Sequence, residues 1–374
     1  MRVLYVTTIG LTMIFFKDFI KDLIDDGHTV DIACNETISK VDESYYKMGC
    51  RIYPIDCSRS PFNAGNFKAI KQLKRIITDG QYDIVHCHTP IAGACTRLAC
   101  MNLRKNGVKV FYTAHGFHFY KGAPLKNWLI FYPIEKFCSR FTDILITINS
   151  EDYDLAKKKM KAKHIEYVPG VGVNIDKFKN AVVDKTAKRH ELEIPEDAFL
   201  LISVGELNDN KNHQIVIRAL AQLHNPDVHY LIVGEGSLHD HLIRLSEDLG
   251  VNQQVHFAGF RTDVAQLYKI ADVNVFPSIR EGFGLAAIEG MAAGLPLVCS
   301  DNRGTREFAE DGENAIICNT VDDYKDAIIN LCLDQDVVLA LTESGIKKAM
   351  MFSVERVNRM MKELYFVKEE EDME

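Results

Sequence analysis

The sequence predicts an α/β protein built from two Rossmann-like domains, each a doubly wound parallel sheet. Short apolar runs of strand length alternate with amphipathic helical patterns along almost the whole chain. The alternation stops once, in the charged stretch 178–197 that contains Pro195, and then starts again. Strands that alternate with helices pair in parallel, because each helix carries the chain back over the sheet. We therefore expect two such domains facing a central cleft at the carboxyl ends of their sheets.

Residues 1–178 are predicted to form the first domain. Its expected strands are 2–7, 29–34, 51–55, 83–87, 109–113, 143–148 and 165–168. Helical patterns lie between them, as in the run Phe16, Phe19, Ile20, Leu23 and Ile24, whose spacing places all five side chains on one face. The segments 67–78 and 91–103 show similar patterns.

Residues 179–351 are predicted to form the second domain. The stretch 178–197 indicates a linker with a short helix. The expected strands are 200–204, 229–233, 255–257, 273–276, 296–299 and 315–317. The last segment, 352–374, indicates a helix followed by a solvated acidic tail, KEEEDME.

Composition excludes several classes of protein. Of the 374 residues, 47% are hydrophobic, which suits two globular cores, and the formal net charge of −8 argues against nucleic acid as a partner. Ten cysteines without C-x-x-C pairs indicate buried thiols in a reducing compartment, so we expect a cytoplasmic protein. No apolar run reaches the roughly 18 residues that span a bilayer. Membrane contact is therefore expected to be peripheral, and self-association into a homo-oligomer is left open.

The stretch Val273–Pro296 carries the strongest signal for a binding site. An apolar run ends at Pro277, a glycine-containing loop follows, and helix-forming residues then continue to Gly294. The amides at the start of such a helix favour an anion, and a diphosphate would fit there. Glu281 lies before the helix and Glu289 on its second turn, so both carboxylates border the anion site and suit hydroxyl groups.

The segment EGFGLAAIE, with PS before it and GLP after the helix, resembles the E-x7-E motif of family-four retaining glycosyltransferases, which have the GT-B fold. The resemblance implies that Glu281 contacts hydroxyls of the donor sugar and that Glu289 contacts the nucleotide ribose. It also implies that the backbone of Gly282, Phe283, Gly284 and Leu285 holds the donor diphosphate. The alternative is an ordinary surface helix with two solvated glutamates.

The segment VGELNDNKNH resembles the phosphate-binding segment of that family, in which an arginine and a lysine neutralise the diphosphate. Lys211 matches the lysine, and the alternative for it is a free surface lysine. Glu206 occupies the arginine position, where it would repel a diphosphate unless turned away. Arg280 is the preferred replacement because it adjoins Glu281, and the other candidates are Arg303 and Arg306.

Two further segments are compared with the family. In AGFRTDV, the resemblance implies that backbone groups near Phe260 and Arg261 hold the nucleotide base, although a turn without a ligand is a close alternative. Family members commonly carry a glycine pair after the first strand, where the backbone approaches the donor. TTIGLTMIFF offers only Gly10 for that contact.

Histidines follow two strands of the first domain. In TAHGFHFYKG, His115 matches the family's histidine, which lies against the donor sugar and whose carbonyl is thought to steady positive charge during transfer. The alternative is a loop histidine without a role. In HCHTP, His86 and His88 share one side of a strand, but no carboxylate or cysteine cluster completes a metal site. We therefore favour a structural or acceptor-lining role for this pair.

The resemblance covers nearly the whole chain and is strongest to EpsD-type glycosyltransferases of bacterial exopolysaccharide synthesis. It implies a retaining, metal-independent hexosyl- or N-acetylhexosaminyltransferase without a cofactor and with a C-terminal helix that returns to the first domain. The expected donor is a UDP-sugar, and the expected acceptor is a lipid-linked saccharide of an exopolysaccharide or capsule at the inner face of the cell membrane. A nucleotide-sugar epimerase, a phosphorylase and a non-catalytic binding subunit remain alternatives.

Aromatic and basic residues concentrate in the first domain and suggest a membrane-facing surface. The alternative is that the rings pack in the core, and we favour it for Phe16 and Phe19. The aromatic residues are Phe15, Phe16, Phe19, Phe117, Phe119, Tyr120, Trp128, Phe131 and Tyr132, interleaved with Lys17, Lys21, Lys121 and Lys126.

Overall fold

In a computed structural model, which describes residues 1–366, the chain forms two parallel-sheet α/β units. Unit 1 consists of Met1–Val171 together with the described residues from Met360 on, and unit 2 is Gly172–Arg359. Every strand predicted from the sequence is present, and the predicted fold class is confirmed. The predicted acidic tail lies outside the described residues.

Unit 1 contains a seven-stranded sheet in the order β3-β2-β1-β4-β5-β6-β7, and every neighbouring pair is parallel. The strands are β1 (Arg2–Ile9), β2 (Thr29–Asn35), β3 (Ile52–Pro54), β4 (Ile84–His88), β5 (Lys109–Ala114), β6 (Ile144–Thr147) and β7 (His164–Tyr167). The helices are α1 (Lys17–Asp25), α2 (Glu43–Lys47), α3 (Gly65–Gly80), α4 (Pro90–Cys100), α5 (Leu125–Cys138) and α6 (Ser150–Lys159). Short 3-10 turns cover Gly10–Phe16, Leu103–Asn106 and Ser139–Phe141.

Unit 2 contains a six-stranded sheet in the order β10-β9-β8-β11-β12-β13, again with parallel pairs. The strands are β8 (Phe199–Val204), β9 (Val228–Val233), β10 (Val255–Gly259), β11 (Val273–Phe276), β12 (Leu297–Ser300) and β13 (Ala315–Cys318). The helices are α7 (Ile175–Lys179), α8 (Lys185–Glu191), α9 (His213–Leu223), α10 (His239–Asp248), α11 (Val264–Ile270), α12 (Leu285–Ala293), α13 (Val321–Leu333) and α14 (Gln335–Met350), with a 3-10 turn at Thr305–Glu307. A last helix, α15 (Val354–Phe366), begins in unit 2 and ends in unit 1.

The central strands are buried on both faces because helices cover the sheets. In β1, every residue after Arg2 is buried, which matches the continuous apolar run that parallel central strands show. In unit 2, Gly290 lets α12 pack directly on β11, since a Cβ atom there would lie 2.1 Å from Nδ2 of Asn274. The asparagine in turn donates to the carbonyl of Ala287 at 3.1 Å. The one interruption in the helix-forming run of α12 therefore has a packing reason.

The stretch expected to be a linker is a packed part of unit 2. Arg189 of α8 is buried, and its guanidinium donates to the carbonyls of Ile270 and Ala198. Phe178 of α7 is also buried, with its ring edge-on to Tyr268 at 5.9 Å. These contacts attach α7 and α8 to α11 and to the start of β8, and unit 2 begins at Gly172 rather than at the expected 179. Unit 2 ends at Arg359, inside α15, and not at the expected 351.

Candidate active site

In unit 2, the turn before α12 presents a helix N-terminus with free amides. Gly284 caps the helix with a φ of 123°, and a Cβ atom there would lie 3.1 Å from the ring of Phe308. The positive φ therefore favours a glycine, and the ring of Phe308 leaves little room for a side chain. Among residues 1–366, the amides of Leu285 and Ala286 donate to no other group. These donors, at the positive end of the helix dipole, can bind an anion.

Lys211 and Glu281 form an ion pair beside this turn. Nζ of Lys211 lies 2.7 Å from Oε1 of Glu281, and the two side chains are 22% and 17% exposed. The ammonium group also lies 5.2 Å from the ring centroid of Phe276. Lys211 is thus neither a free surface lysine nor buried, and both partners remain accessible to a ligand.

Backbone contacts hold the loops that carry this pair. The amide of Ile279 donates to the carbonyl of Asn210 at 2.8 Å, and the Asn210 side chain donates to the carbonyl of Arg280 at 2.8 Å. On the other side, Nε of Arg303 donates to the carbonyl of Glu281 at 3.2 Å. Sequence reasoning missed Asn210, and only a contact seen in three dimensions identifies its role.

The candidates for the cation that replaces the family's arginine lie in different surroundings. Glu206, which occupies the arginine position, is exposed. Arg306 is ion-paired with Asp301, and Arg303 is buried against Glu281. Arg280, the candidate preferred from sequence, contributes its carbonyl to the loop contact with Asn210. Arg303 is thus one candidate whose guanidinium contacts the backbone of Glu281, and the choice of the cation that binds the diphosphate stays a prediction.

Glu289 lies on the second turn of α12 and is partly exposed. Burial raises the pKa of its carboxyl to about 7, while the nearby Lys177 of α7 acts in the opposite direction. Near neutral pH this carboxyl is therefore partly protonated and partly ionised. Its ionised form accepts hydrogen bonds from hydroxyl groups.

The loop after β10 presents a ring and an arginine whose side chain is already engaged. The Phe260 side chain is 73% exposed. Arg261 donates to Asp263 and to Glu191, each at 2.7 Å, and its hydrogen bonds lower the pKa of the Asp263 carboxyl. Only the backbone of Arg261 is thus available for the base contact predicted from sequence.

In unit 1, His115 follows β5 and pairs with His88 at the end of β4. Nε2 of His115 lies 3.1 Å from Nδ1 of His88, and the neighbouring His86 is hydrogen-bonded to Tyr365 at 2.6 Å and to Thr113 at 2.8 Å. Burial lowers the pKa of His115 to about 4 and that of His86 to about 3, so both rings are neutral at pH 7. Sequence reasoning found each histidine but missed both the pairing and Tyr365.

Close packing explains why position 10 is a glycine. A Cβ atom at this position would lie 2.4 Å from the backbone carbon of Lys40, and the Gly10 amide donates to the carbonyl of Ser39 at 3.1 Å. The loop of unit 1 that ends at Val41 thus fills the space that this glycine leaves. Its predicted donor contact stays a prediction.

The histidine pair in HCHTP is engaged in hydrogen bonds rather than arranged around an ion. Within residues 1–366, no group of three or more histidine, cysteine, aspartate or glutamate side chains is placed to hold a metal. In the same range no helix has both the length and the apolar character to cross a bilayer.

Most of the aromatic residues proposed for a membrane surface belong to the core. Phe117 and Phe119 are buried and stacked at 4.8 Å, while Trp128, Phe131 and Tyr132 pack against the same core cluster. Phe16 and Phe19 are buried as well, as favoured from the sequence. Phe15, which was also proposed, is exposed. Other exposed apolar side chains are Leu11 and Ile14 of the same 3-10 turn and Leu125 and Leu129 of α5.

Comparisons with known proteins identify the class to which this fold and these motifs belong. The family described as Glycosyl transferases group 1 matches residues 184–348, and the family described as Glycosyl transferase 4-like matches residues 2–149. The chain belongs to the family-four glycosyltransferases with the GT-B fold.

Two relatives are similar in sequence, and one solved structure is similar in fold. The chain is 40% identical over 347 residues to the predicted glycosyltransferase EpsD of Bacillus subtilis, covering 91% of this chain and 89% of that one. It is 27% identical over 312 residues to the UDP-Gal:alpha-D-GlcNAc-diphosphoundecaprenol alpha-1,3-galactosyltransferase of Escherichia coli, covering 80% and 79%. The crystal structure of Anabaena HepE in complex with UDP and glucose has the same fold, with a TM-score of 0.81 at 19% identity over 98% and 99% of the two chains.

Proposed function

We propose that this glycosyltransferase is a retaining enzyme that moves a hexosyl or N-acetylhexosaminyl group from a UDP-sugar to a lipid-linked saccharide in exopolysaccharide or capsule synthesis. The observation that carries the proposal is the pairing of free helix amides at Leu285 and Ala286 with the nearby Lys211–Glu281 ion pair. Anion donors next to a carboxylate suit a ligand that joins a diphosphate to a sugar.

The donor is bound by unit 2 in this proposal. The α12 amides and Lys211 take the diphosphate, Glu281 accepts hydrogen bonds from sugar hydroxyls, and Glu289 accepts them from the ribose. The backbone at Phe260 and Arg261 takes the base. UDP is preferred as the nucleotide because the Escherichia coli relative is named for UDP-Gal and the HepE structure holds UDP.

The acceptor is assigned to unit 1. The Escherichia coli relative is named for a diphosphoundecaprenol-linked sugar, and a lipid acceptor requires access to a membrane surface. Leu125 and Leu129 are 73% and 68% exposed on α5, and Lys121 and Lys126 nearby are exposed as well. Apolar and basic side chains together suit the headgroup region of an anionic membrane. We place the enzyme at the cytoplasmic face.

Retention follows if the new bond forms on the same face of the sugar as the old one. The acceptor hydroxyl oxygen bonds to the anomeric carbon as the bond from that carbon to the phosphate oxygen breaks. The electron pair leaves with the UDP phosphate, which also takes the hydroxyl proton. Lys211 and the α12 amides stabilise the charge that develops on the phosphate. The resemblance to the family assigns His115 of unit 1 to the sugar. No metal ion or cofactor takes part.

Two alternatives differ from transfer in what they do with a nucleotide-sugar. An epimerase of this fold would change it without a saccharide acceptor, and a non-catalytic subunit would bind it without turnover. A phosphorylase would instead move a sugar between a saccharide and inorganic phosphate, without a nucleotide. The α12 amides and Lys211 of unit 2 favour binding of a nucleotide-sugar by a transferase, an epimerase or a non-catalytic subunit. The requirement for an acceptor therefore distinguishes these three.

The test is release of UDP from UDP-sugars in the presence and absence of a polyprenyl-diphosphate-linked GlcNAc acceptor. We expect release only with the acceptor, and a lower turnover number for Glu281→Gln. Glu310→Gln is the matched control, because Glu310 also pairs with a lysine of unit 2, Lys348, at 2.6 Å. Release without acceptor would indicate the first alternative, and UDP binding without release would indicate the second.

A further inference from the structure

A stack of rings in unit 1 surrounds the histidine assigned to the reaction. The ring of His88 lies 4.1 Å from that of Phe16, in stacked geometry, and 4.2 Å from that of His86. His86 is itself fixed by hydrogen bonds to Tyr365 and Thr113. His88 is only 2% exposed and contacts His115 through Nδ1.

The contact between His88 and His115 is a hydrogen bond only if one of the two facing nitrogens carries a proton and the other does not. Both rings are neutral at pH 7 because burial lowers the pKa of each. Nδ1 of His88 and Nε2 of His115 are 3.1 Å apart, so one of these nitrogens carries the proton and the other accepts it.

The surroundings of His88 decide which nitrogen carries that proton. Its other ring nitrogen, Nε2, is buried and has no hydrogen-bond partner among residues 1–366. A buried N–H group without an acceptor is rarer in proteins than an acceptor without a donor, because the unpaired donor bears the full cost of its desolvation. The proton of His88 therefore belongs on Nδ1, and Nε2 of His88 is a bare lone pair.

The tautomer of His115 follows. If His88 donates through Nδ1, then Nε2 of His115 accepts and the proton of His115 lies on Nδ1. Within the described part of the chain, that Nδ1 group makes no hydrogen bond. It is therefore an unused donor, free for an oxygen atom of a ligand.

We propose that His88 is a positioning residue that holds His115 in its Nδ1–H tautomer, so that His115 presents a hydrogen-bond donor to an oxygen of the bound sugar. The inference rests on the proposed function, since it assigns the sugar as the ligand of His115. The assignment of the tautomer itself depends only on the two histidines.

The tautomer is tested in the wild-type full-length protein by NMR of ring-labelled histidine. Bare and protonated ring nitrogens give well-separated ¹⁵N shifts, and His115→Gln and His88→Asn assign the two rings. We expect both His88 and His115 to carry their proton on Nδ1. A protonated Nε2 in His115 would overturn the inference, whatever the enzyme's activity.

Turnover tests the positioning role. His88→Leu removes the donor and should lower kcat by up to about 100-fold with little change in the KM for the donor, because displacement of a reacting group acts on the transition state. His88→Asn keeps a donor at the place of Nδ1 and should recover most of that loss. His229→Leu is the control, since His229 pairs with His256 at 2.9 Å at the amino-terminal end of β9, and its turnover should stay at the wild-type value.

The outcomes separate this inference from the proposed function. If His115→Ala leaves kcat unchanged, the assignment of His115 to the reaction is wrong. If His115→Ala lowers kcat while His88→Leu does not, the reaction assignment stands and the role of His88 is refuted. If His88→Asn is as slow as His88→Leu, the loss comes from packing, and the positioning role is again refuted.

Discussion

Lys211 and Glu281 lie 70 positions apart in the chain and meet at 2.7 Å, joining the segment after β8 to the segment after β11. The ammonium group thus already has an anionic partner before a diphosphate arrives. We expect the diphosphate to compete for Lys211 and so to release Glu281 for the hydroxyls of the sugar. Binding of the nucleotide and preparation of the sugar site would then be one event.

Lys211→Ala should weaken UDP binding. The substitution removes a charge-assisted hydrogen bond of about 1.5–3 kcal/mol and leaves Glu281 facing the diphosphate without its counter-charge. Isothermal titration calorimetry with UDP measures the change. Lys348→Ala is the matched control, because it breaks another lysine–glutamate pair of unit 2. If both variants bind UDP as tightly as the wild type, Lys211 is not a phosphate ligand.

Glu289→Gln should remove a pH dependence of UDP affinity. The carboxyl has a pKa of about 7, so lowering the pH from 8 to 6 protonates it and removes an acceptor for the ribose hydroxyls. Wild-type affinity should therefore fall over this range, while that of the glutamine variant should be lower at pH 8 and nearly constant. Calorimetry at the two pH values decides, and a parallel fall in both proteins would contradict the ribose contact.

Glu289→Gln should also change how the stability of the UDP-free protein depends on pH. The folded-state pKa is raised above the ordinary 4.5, so the folded state binds more protons between pH 4.5 and 7 and stability falls as the pH rises through this window. Above pH 7 Glu289→Gln should therefore be the more stable protein, by up to about 3 kcal/mol, since one pKa unit corresponds to about 1.4 kcal/mol. Urea unfolding at pH 8 and at pH 4.5 should show this gain only at pH 8.

Transfer should continue in the presence of EDTA. In this account Lys211 and the α12 amides bear the diphosphate charge, so no ion is needed to neutralise it. The measurement is the initial rate of acceptor-dependent UDP release before and after chelation. A rate that collapses with EDTA and returns with Mg²⁺ or Mn²⁺ would show that the diphosphate is bound through a metal.

Lys121→Glu combined with Lys126→Glu should abolish binding to anionic vesicles. Each exposed lysine near an anionic surface contributes about 1 kcal/mol, and reversing both charges turns attraction into repulsion. Sedimentation of the full-length protein with phosphatidylserine vesicles at low salt measures the effect. Lys158→Glu combined with Lys159→Glu on α6 is the control with the same charge change. If the control pair loses binding equally, the surface near α5 is not the contact.

The fold was readable from the sequence because its signals are local. Each predicted strand is a short apolar run between helical patterns, and α12 ends at Gly294 with Pro296 beyond it, as expected. The prediction of a linker at 178–197 was wrong because it also relied on a local signal. Its charges look solvated in sequence, but the guanidinium of Arg189 is buried among backbone carbonyls that satisfy it.

The candidate site could be predicted only in part, because its pairings are not local. The sequence located Glu281, Glu289, Lys211 and His115 one at a time, through motifs. It could not show that His115 meets His88 across 27 positions, or that Tyr365 meets His86 across 279. The predicted exposure of the aromatic loop was wrong for a related reason. A loop has no periodicity that distinguishes a buried Phe117 from an exposed one.

The most direct test of the account is the anomeric configuration of the product. UDP-hexoses carry their sugar in the α configuration, and retention predicts an α linkage in the sugar transferred to the lipid-linked acceptor. The measurement is the coupling between the protons on C1 and C2 of the transferred sugar by NMR, with a UDP-galactose or UDP-glucose donor. A small coupling, diagnostic of the α anomer, is the predicted result. A large coupling, diagnostic of the β anomer, would contradict front-face transfer and the roles given to His115, Lys211 and Glu281.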